Sequence, residues 1–371
     1  MNQRDKQAES LNALRFVAML LGVVLHALIP YMTVPVPHLL WPVREPASCA
    51  FDTLYWFLHG FRVPLFFVIA GMTAGKILPL RATREFFLRR LRRLGVPLLI
   101  GTFTVLPLMY IVWSWGWLKS GLADQGNVVH IRFRHGMQAD LYGFGHLWFL
   151  VHLILYSLLL SAYETSRLRV AFDKHHSWMW ILIPFPTAAL LWIDPRPLTE
   201  FHHWFFPRAA EFMYHGWYFA VGAWAARVPA WVIRWWHAGV ATALVAFLFM
   251  HSQLVRAATP SGPWLAISAS LFAWASVWGL LGFFARIRAG RWATDAALFI
   301  YLVHPPLIGV FHVLLFRAAL APGWKAVITA SLSCLIGAIV FVIMKRTLRH
   351  ARSSLPATPE LRPIDSRTSS V

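Results

Sequence analysis

The chain has 371 residues, of which 58% are hydrophobic and only 13% are Asp, Glu, Lys or Arg. A soluble domain usually carries about 25% charged residues, so this composition excludes a chain of two or three soluble domains. The formal net charge is +19, but the basic residues interrupt long apolar runs and do not collect on one polar face. This pattern excludes a nucleic-acid-binding protein and predicts an all-α polytopic membrane protein.

Ten runs are apolar and long enough for transmembrane helices, which need about 20 residues each. The bounds of the fifth and sixth runs are the least sharply defined by the sequence. A single membrane domain of residues 1–346 is predicted, followed by a disordered cytoplasmic tail at 347–371 that is rich in Ser, Pro and Thr. The predicted spans are 11–31, 51–74, 94–114, 146–164, 178–193, 211–226, 236–252, 263–284, 295–316 and 322–344.

The distribution of basic residues between the spans predicts the orientation of the chain. If the N-terminus is inside, the cytoplasmic segments carry 23 Lys and Arg residues and the outer loops carry 9. Because cytoplasmic loops are rich in Lys and Arg, both termini are predicted to be cytoplasmic. Arg15 and Arg62 fall within spans, so this rule does not explain them. Cys49 and Cys334 are the only cysteines, and no disulfide is predicted between them.

The first two spans carry charged and titratable residues, which mark function by default when they lie inside a membrane. Arg15 and His26 are eleven residues apart, so a helix presents both on one face, roughly 16 Å apart along its axis. The alternative is that Arg15 contacts lipid phosphates and His26 is an interfacial histidine. Asp52, His59 and Arg62 lie on adjoining faces of the second span, where a structural ion pair is the alternative to a site.

Two later spans add histidines at a similar depth. His146 begins the fourth span on the outer side, and Tyr301 and His304 lie three residues apart in the ninth. Pro305 and Pro306 follow, and proline cannot donate a backbone hydrogen bond, so carbonyl groups near His304 are left free. The pattern is compatible with a polar cavity beside a kink and with a purely structural kink.

A basic run consisting of Arg89, Arg90, Arg92 and Arg93 opens the third predicted span on the cytoplasmic side. Ordinary anchoring of a helix at the cytoplasmic surface explains most runs of this kind. The functional alternative is a docking site for a polyanion, such as the phosphates of a nucleotide-bearing donor. The sequence contains no metal-ligand spacing such as HExxH, and no metal site is predicted.

Four sequence motifs occur in order along the chain. They are Arg15 and His26 with ten residues between them, FFVIAG at 66–71, HLWFL at 146–150 and FIYLVHP at 299–305. The second motif is apolar and small, which suits close helix packing. With these motifs, residues 10 to 345 resemble the acyltransferase-3 family of membrane acyltransferases. The segments FRVPLFF at 61–67 and RRLGVP at 92–97 are most similar to the glucan biosynthesis protein C branch, the membrane succinyltransferases of periplasmic glucans.

The resemblance implies an integral protein of the bacterial inner membrane that transfers a succinyl or acetyl group from cytoplasmic acyl-CoA to hydroxyls of an extracytoplasmic glycan. Acyl-CoA is then a donor substrate, and no permanently bound cofactor is expected. The expected partners are acyl-CoA, a glycan such as a periplasmic glucan, and membrane lipids. The family's catalytic histidine maps to His26, its arginine to Arg15, and its donor-binding arginines to the run at 89–93. Ala70 stands where the family often has serine, so no catalytic role is assigned there.

In this scheme His26 acts either as a general base toward a sugar hydroxyl or as a nucleophile that accepts the acyl group. Asp52 or His59 is expected to orient His26, and Arg62 or His146 is expected to stabilise an oxyanion or pair with a succinyl carboxylate. The alternative function is a transporter or flippase for a glycan or lipid-linked intermediate. Intramembrane charges suit that alternative as well, but no internal repeat supports it.

Overall fold

The computed structural model describes residues 3–130, 141–165, 179–201, 204–226, 230–256 and 260–353. Helices dominate these ranges and no strand occurs within them, which confirms the all-α prediction. In the described ranges, eight helical segments are long and apolar enough to cross a membrane, so the protein is a multi-pass membrane protein.

Fifteen α-helices are assigned within these ranges, and one π turn, Gly101–Val105, joins two of them without a break. They are α1 (Gln3–Leu28), α2 (Cys49–Ile77), α3 (Thr83–Ile100), α4 (Leu106–Ser120), α5 (Gln125–Val129), α6 (Trp148–Thr165), α7 (Met179–Leu182), α8 (Pro184–Ile193), α9 (Arg196–Thr199), α10 (Ala209–Ala225), α11 (Ala230–Arg234), α12 (Trp236–Arg256), α13 (Pro263–Phe284), α14 (Arg291–Leu315) and α15 (Pro322–Ser353).

Two of the ten predicted spans do not reach membrane-spanning length. The fifth span was predicted to begin at residue 178, which lies outside the described ranges. The helix found in its place, α8, has only 10 residues. It begins at Pro184 and ends before Asp194-Pro195, because the residue that precedes a proline disfavours helical backbone. At the place of the sixth span, α10 has 17 residues.

The third span and the predicted tail also differ from the sequence-based bounds. α3, the π turn and α4 form one continuous segment of 38 residues, Thr83–Ser120, where 94–114 was predicted. The basic run at 89–93 therefore lies inside a helix and does not precede one. α15 continues to Ser353, past the predicted start of the tail at residue 347. Residues 354–371 lie outside the described ranges.

Glycines bring the backbones of α2 and α10 into direct contact. A Cβ atom added at Gly71 would collide with the carbonyl oxygen of Phe219, and one at Gly222 would collide with the carbonyl oxygen of Val68. The prediction that the segment 66–71 supports close helix packing is confirmed. This contact holds one wall of the cavity described below, which α2 and α10 line together.

We expect Gly71→Leu to lower the free energy of unfolding by about 2 kcal/mol or more, since overpacking a tight contact forces backbone shifts. Thermal unfolding of the detergent-purified protein measures the change. Gly95→Leu is the matched control, because the nearest atom to a Cβ there is a Leu91 methyl carbon at 3.6 Å, an ordinary contact. If both variants unfold at the same temperature, the α2–α10 contact is not as tight as described.

The loop between α1 and α2 is fixed over one end of the bundle, which the predicted topology places outside. The carboxylate of Asp52 accepts hydrogen bonds from the backbone N–H and the hydroxyl of Thr33 and from the backbone N–H of Val34, each at 2.9 Å. Further along the loop, Lys325 donates to the carboxylate of Glu45 at 2.9 Å. These contacts hold the loop against the side of the bundle where His26 lies.

Candidate functional site

Six of the predicted site residues line one cavity between α1, α2, α14 and the start of α6. Its volume is about 90 Å³. A single buried water needs about 15 Å³ on this measure, so the cavity has room for a reacting group. These residues belong to four different predicted spans, and the structure brings them together. They are His26, His59, Arg62, His146, Tyr301 and His304.

His26 and His304 form a hydrogen-bonded pair at the centre of the cavity. The Nδ1 atom of His26 lies 2.8 Å from the Nε2 atom of His304. The two ring planes are nearly parallel, with an angle of 4° between them. His304 is buried, while His26 is only partly buried and lines the cavity. His304 is therefore the residue that orients His26.

The hydrogen bonds of His304 fix the protonation of both rings. Its Nδ1 atom lies 2.7 Å from the carbonyl oxygen of Tyr301 and 3.2 Å from that of Ile300. Carbonyl oxygens only accept, so Nδ1 carries the proton, and in a neutral imidazole Nε2 is then unprotonated. Nε2 of His304 accepts from the Nδ1–H of His26. The Nε2 atom of His26 therefore keeps its lone pair for chemistry.

Pro305 supplies the acceptor that sets this arrangement. In a regular α-helix the carbonyl of Tyr301 accepts from the N–H of residue 305, four positions later. Proline has no N–H, so that carbonyl is released from the backbone ladder. His304 takes it. The predicted free carbonyl beside a polar cavity is present, and its function is to hold one tautomer of His304.

Pro306 acts on His146 in the same way. It releases the carbonyl of Leu302, which accepts a hydrogen bond from Nε2–H of His146 at 3.1 Å. The hydroxyl of Tyr301 donates to the backbone carbonyl of His146. Nδ1 of His146 is buried and has no hydrogen-bond partner among the described residues. In the neutral form Nδ1 can only accept, so the predicted role of His146 toward an oxyanion requires the protonated imidazole.

Arg62 carries a positive charge into the cavity, and the two carboxylates that also line it, Glu200 and Glu211, are paired with Arg208 instead. Among the described residues, no carboxylate lies within ion-pair distance of its guanidinium, and its buried Nε has no hydrogen-bond partner. The guanidinium packs against α1 at Gly22. Because burying an unpaired charge is costly, the cavity favours a ligand that brings a negative charge to Arg62.

Asp52 and His59 do not orient His26 as predicted. The carboxylate of Asp52 is occupied by the loop between α1 and α2, as described above, so its role is structural. His59 lines the cavity, but its Nε2 donates to the carbonyl of Leu198 at 3.1 Å. The prediction for these two residues is wrong because the orienting partner comes from α14, and that partner is His304.

Arg15 lies in a basic cluster nearer the start of α1 than His26. It donates to the hydroxyl of Thr73 on α2 at 2.9 Å. Arg90 of α3 approaches from the other side and donates to the carbonyl of Ala70 at 3.3 Å. Arg90 and Arg93 both repel Arg15 electrostatically, so the three charges share one region. Such a concentration of positive charge suits a polyanion.

The rest of the basic run is arranged differently. Arg89 pairs with Glu85 on the same helix face at 2.7 Å, and Arg93 lies 3.7 Å from Asp295. Arg92 is exposed. Arg90 therefore lies closest to the buried region around Arg15, whereas Arg89, Arg92 and Arg93 are all exposed at the surface.

Two residues of the site were not found from the sequence. Trp41 packs near His26, with 5.7 Å between ring centroids, and its Nε1–H donates to Nδ1 of His312 at 3.0 Å. His312 must then carry its proton on Nε2, which donates to the carbonyl of Ala27 at 3.3 Å. The only signal in the sequence is the position of His312, about two helical turns after His304.

Within the described ranges, no group of three or more His, Cys, Asp or Glu side chains is arranged to hold a metal ion. Cys49 and Cys334 are both free thiols.

Comparison with protein families assigns this arrangement to a known class of enzyme. The model of an acyltransferase domain family, acyltransferase-3, matches residues 9–345. The chain belongs to this family. The match runs from α1 into α15, so it covers the pair of His26 and His304, Arg62 and the basic cluster around Arg15. This membership favours a membrane acyltransferase over the transporter alternative. Neither the curated proteins nor the solved structures contain a match to the acyltransferase.

Proposed function

We propose that this acyltransferase moves an acyl group from cytoplasmic acyl-CoA to a hydroxyl of an extracytoplasmic glycan in the bacterial inner membrane. The resemblance to the glucan biosynthesis protein C branch favours a periplasmic glucan as acceptor. The observation that carries the proposal is the pair of His26 and His304. It presents an unprotonated Nε2 in a cavity inside the membrane, where a thioester and a hydroxyl can meet.

Arg62 suits the acyl end of the donor, and the cluster around Arg15 suits its phosphate end. Arg15 and Arg90 lie toward the side that the predicted topology makes cytoplasmic, where they can bind the phosphates of CoA. His26 lies eleven residues further along α1, roughly 16 Å along the helix axis. The acyl-pantetheine arm would extend between them and place the thioester beside His26. Membrane lipids would surround the exposed apolar faces of the bundle.

The chemistry follows from the tautomer of His26. Its Nε2 removes the proton of a sugar hydroxyl, and the hydroxyl oxygen attacks the thioester carbonyl. The tetrahedral intermediate collapses, the C–S bond breaks, and the CoA thiolate takes the proton back from His26. His304 stabilises the transient imidazolium by accepting from its Nδ1–H. We favour direct transfer over an acyl-histidine because His26 also borders a second cavity, so both substrates have access to it together.

The unbalanced charge of Arg62 favours an acyl group that carries its own carboxylate. A succinyl group would bring that carboxylate into the cavity beside Arg62, whereas an acetyl group would leave the charge unpaired. Mass spectrometry of envelope glycans from cells with and without the gene tests the proposal. We expect succinyl esters to be present only with the gene, and identical glycan masses would refute the proposed reaction.

Arg62→Met should raise the KM for succinyl-CoA by about 30-fold or more, because truncating one partner of a buried charge pair costs at least 2 kcal/mol. Turnover of acetyl-CoA should stay the same, since acetyl has no carboxylate. Steady-state kinetics with both donors measure this, and Arg62→Lys is the control that keeps the charge. An equal fall in kcat with both donors would instead assign Arg62 to the oxyanion.

Pro305→Ala should lower kcat while leaving the protein as stable or more stable. The new N–H at residue 305 competes with His304 for the carbonyl of Tyr301, and an outer hydrogen-bond partner of an active imidazole contributes about 10- to 100-fold to activity. Proline inside a helix costs about 3 kcal/mol, so its removal does not harm folding. Pro97→Ala in α3 is the control, for which kcat stays constant. An unchanged kcat in Pro305→Ala would show that the proline does not set the tautomer.

A further inference from the structure

A second cavity, of about 120 Å³, shares His26 and His146 with the first. We call it the aromatic cavity because Trp41, Trp113 and Trp117 line it. The first is called the polar cavity, since Arg62 is among its lining residues. His26 is thus a common wall of two spaces, and each can hold a different substrate.

The aromatic rings come from two elements and are fixed in place. Tyr110, Trp113 and Trp117 are spaced three and four residues apart on α4, so they share one face of that helix. Trp41 comes from the loop between α1 and α2. The N–H groups of Trp113 and Trp117 each donate to a backbone carbonyl of that loop at 3.0 Å, and Trp41 donates to His312. With these donors occupied, the rings offer their apolar faces and edges to a ligand.

The two cavities differ in charge. The polar cavity contains the side chains of Arg62, Glu200 and Glu211. Among the described residues that line the aromatic cavity there is no Asp, Glu, Lys or Arg. A neutral ligand with apolar faces therefore fits the aromatic cavity, whereas a charged acyl chain fits the polar one. The C–H face of a sugar ring has this neutral and apolar character, and its hydroxyls lie at the ring edge.

We propose that the aromatic cavity binds one sugar unit of the glycan acceptor. The sugar ring lies against Tyr110 and Trp113, and one hydroxyl reaches Nε2 of His26 at the shared wall. The acyl chain occupies the polar cavity on Arg62. This inference rests on the proposed function, because it assigns the acceptor of that same reaction to a specific place.

Binding without the acyl donor tests the cavity independently of catalysis. The probe is a β-glucan tetrasaccharide, titrated by calorimetry into the purified protein in nanodiscs. We expect Tyr110→Ala to weaken binding about tenfold through the lost ring face. Tyr110→Phe keeps the ring and loses only the hydroxyl, which donates to the carbonyl of Val128 at 2.8 Å. Tyr110→Phe should bind the tetrasaccharide like the wild type.

A second pair of variants blocks the space itself. Met109 lines the aromatic cavity, and Leu108 beside it on α4 is 49% exposed. Met109→Trp should raise the KM for the glycan and leave the KM for succinyl-CoA unchanged. Leu108→Trp adds the same bulk on an exposed position and should change neither constant. Equal size-exclusion profiles for both variants show that the fold is retained.

The outcomes separate this inference from the proposed function. Loss of tetrasaccharide binding in Tyr110→Ala supports the aromatic cavity, even if the wild type transfers no acyl group and the proposed function fails. Equal binding by Tyr110→Ala and the wild type overturns the inference. So does binding that is weakened by Glu200→Gln instead, because the sugar then lies in the polar cavity. A wild-type protein that does not bind the tetrasaccharide also overturns it.

Discussion

His26→Ala is expected to reduce acyl transfer to the glycan by about 10⁴-fold or to below detection, the upper range for loss of an oriented general base. The variant removes the lone pair of Nε2, which lies where the two cavities meet. The protein should still fold, because His26 is partly buried and its loss opens an existing cavity. Transfer is measured with detergent-purified protein and labelled succinyl-CoA.

His26→Asn is the matched control for folding. Its amide N–H can replace the Nδ1–H that donates to His304, but it has no basic nitrogen in the place of Nε2. We expect this variant to have wild-type thermal stability and no transferase activity. Substantial activity in His26→Asn would mean that another group removes the hydroxyl proton, and the assignment of His26 would fail.

His304→Leu should produce the second largest effect, a fall in kcat of about 10²- to 10⁴-fold, since an unoriented imidazole loses most of its value as a base. Without an acceptor at Nε2 of His304, His26 is free to take the other tautomer and to protonate its own reactive nitrogen. His304→Gln places an amide oxygen near the lost acceptor and should retain part of the activity.

The comparison of these two variants distinguishes positioning from packing. If His304 only fills space, leucine and glutamine should behave alike. If it holds the tautomer of His26, glutamine should be clearly more active than leucine at equal thermal stability. Equal kcat values in both variants would remove His304 from the mechanism and leave His26 without an orienting partner.

Hydropathy was sufficient to predict most of this fold, for a physical reason. A membrane helix must present a long apolar surface to lipid, which requires a continuous run of apolar residues in the sequence. α8 and α10 have the apolar composition of a span, but with 10 and 17 residues they are shorter than the other segments. The start of α3 at Thr83 was missed because its first turns are polar.

The members of the site could be predicted from their type and depth. Polar residues inside a membrane are expensive, so His26, His59, Arg62 and His304 were conspicuous among apolar neighbours. The pairing of His26 with His304 was not predictable, because 278 residues separate them and helix periodicity relates only residues on one helix.

The error at Asp52 has a similar origin. Its spacing from His59 matches one helix face, but Asp52 lies in the first turn of α2, where a carboxylate serves the preceding loop as readily as a site. Trp41 was missed because it lies in a loop, where no periodicity relates it to His26 or to the rings of α4.

The most direct test of this account is acyl transfer by the purified acyltransferase from labelled succinyl-CoA to a glucan acceptor. We predict that the wild type esterifies the glucan and releases CoA in equal amounts, and that His26→Asn does neither. A wild type that leaves the glucan unlabelled, or a His26→Asn variant that labels it at the wild-type rate, would contradict the central claim.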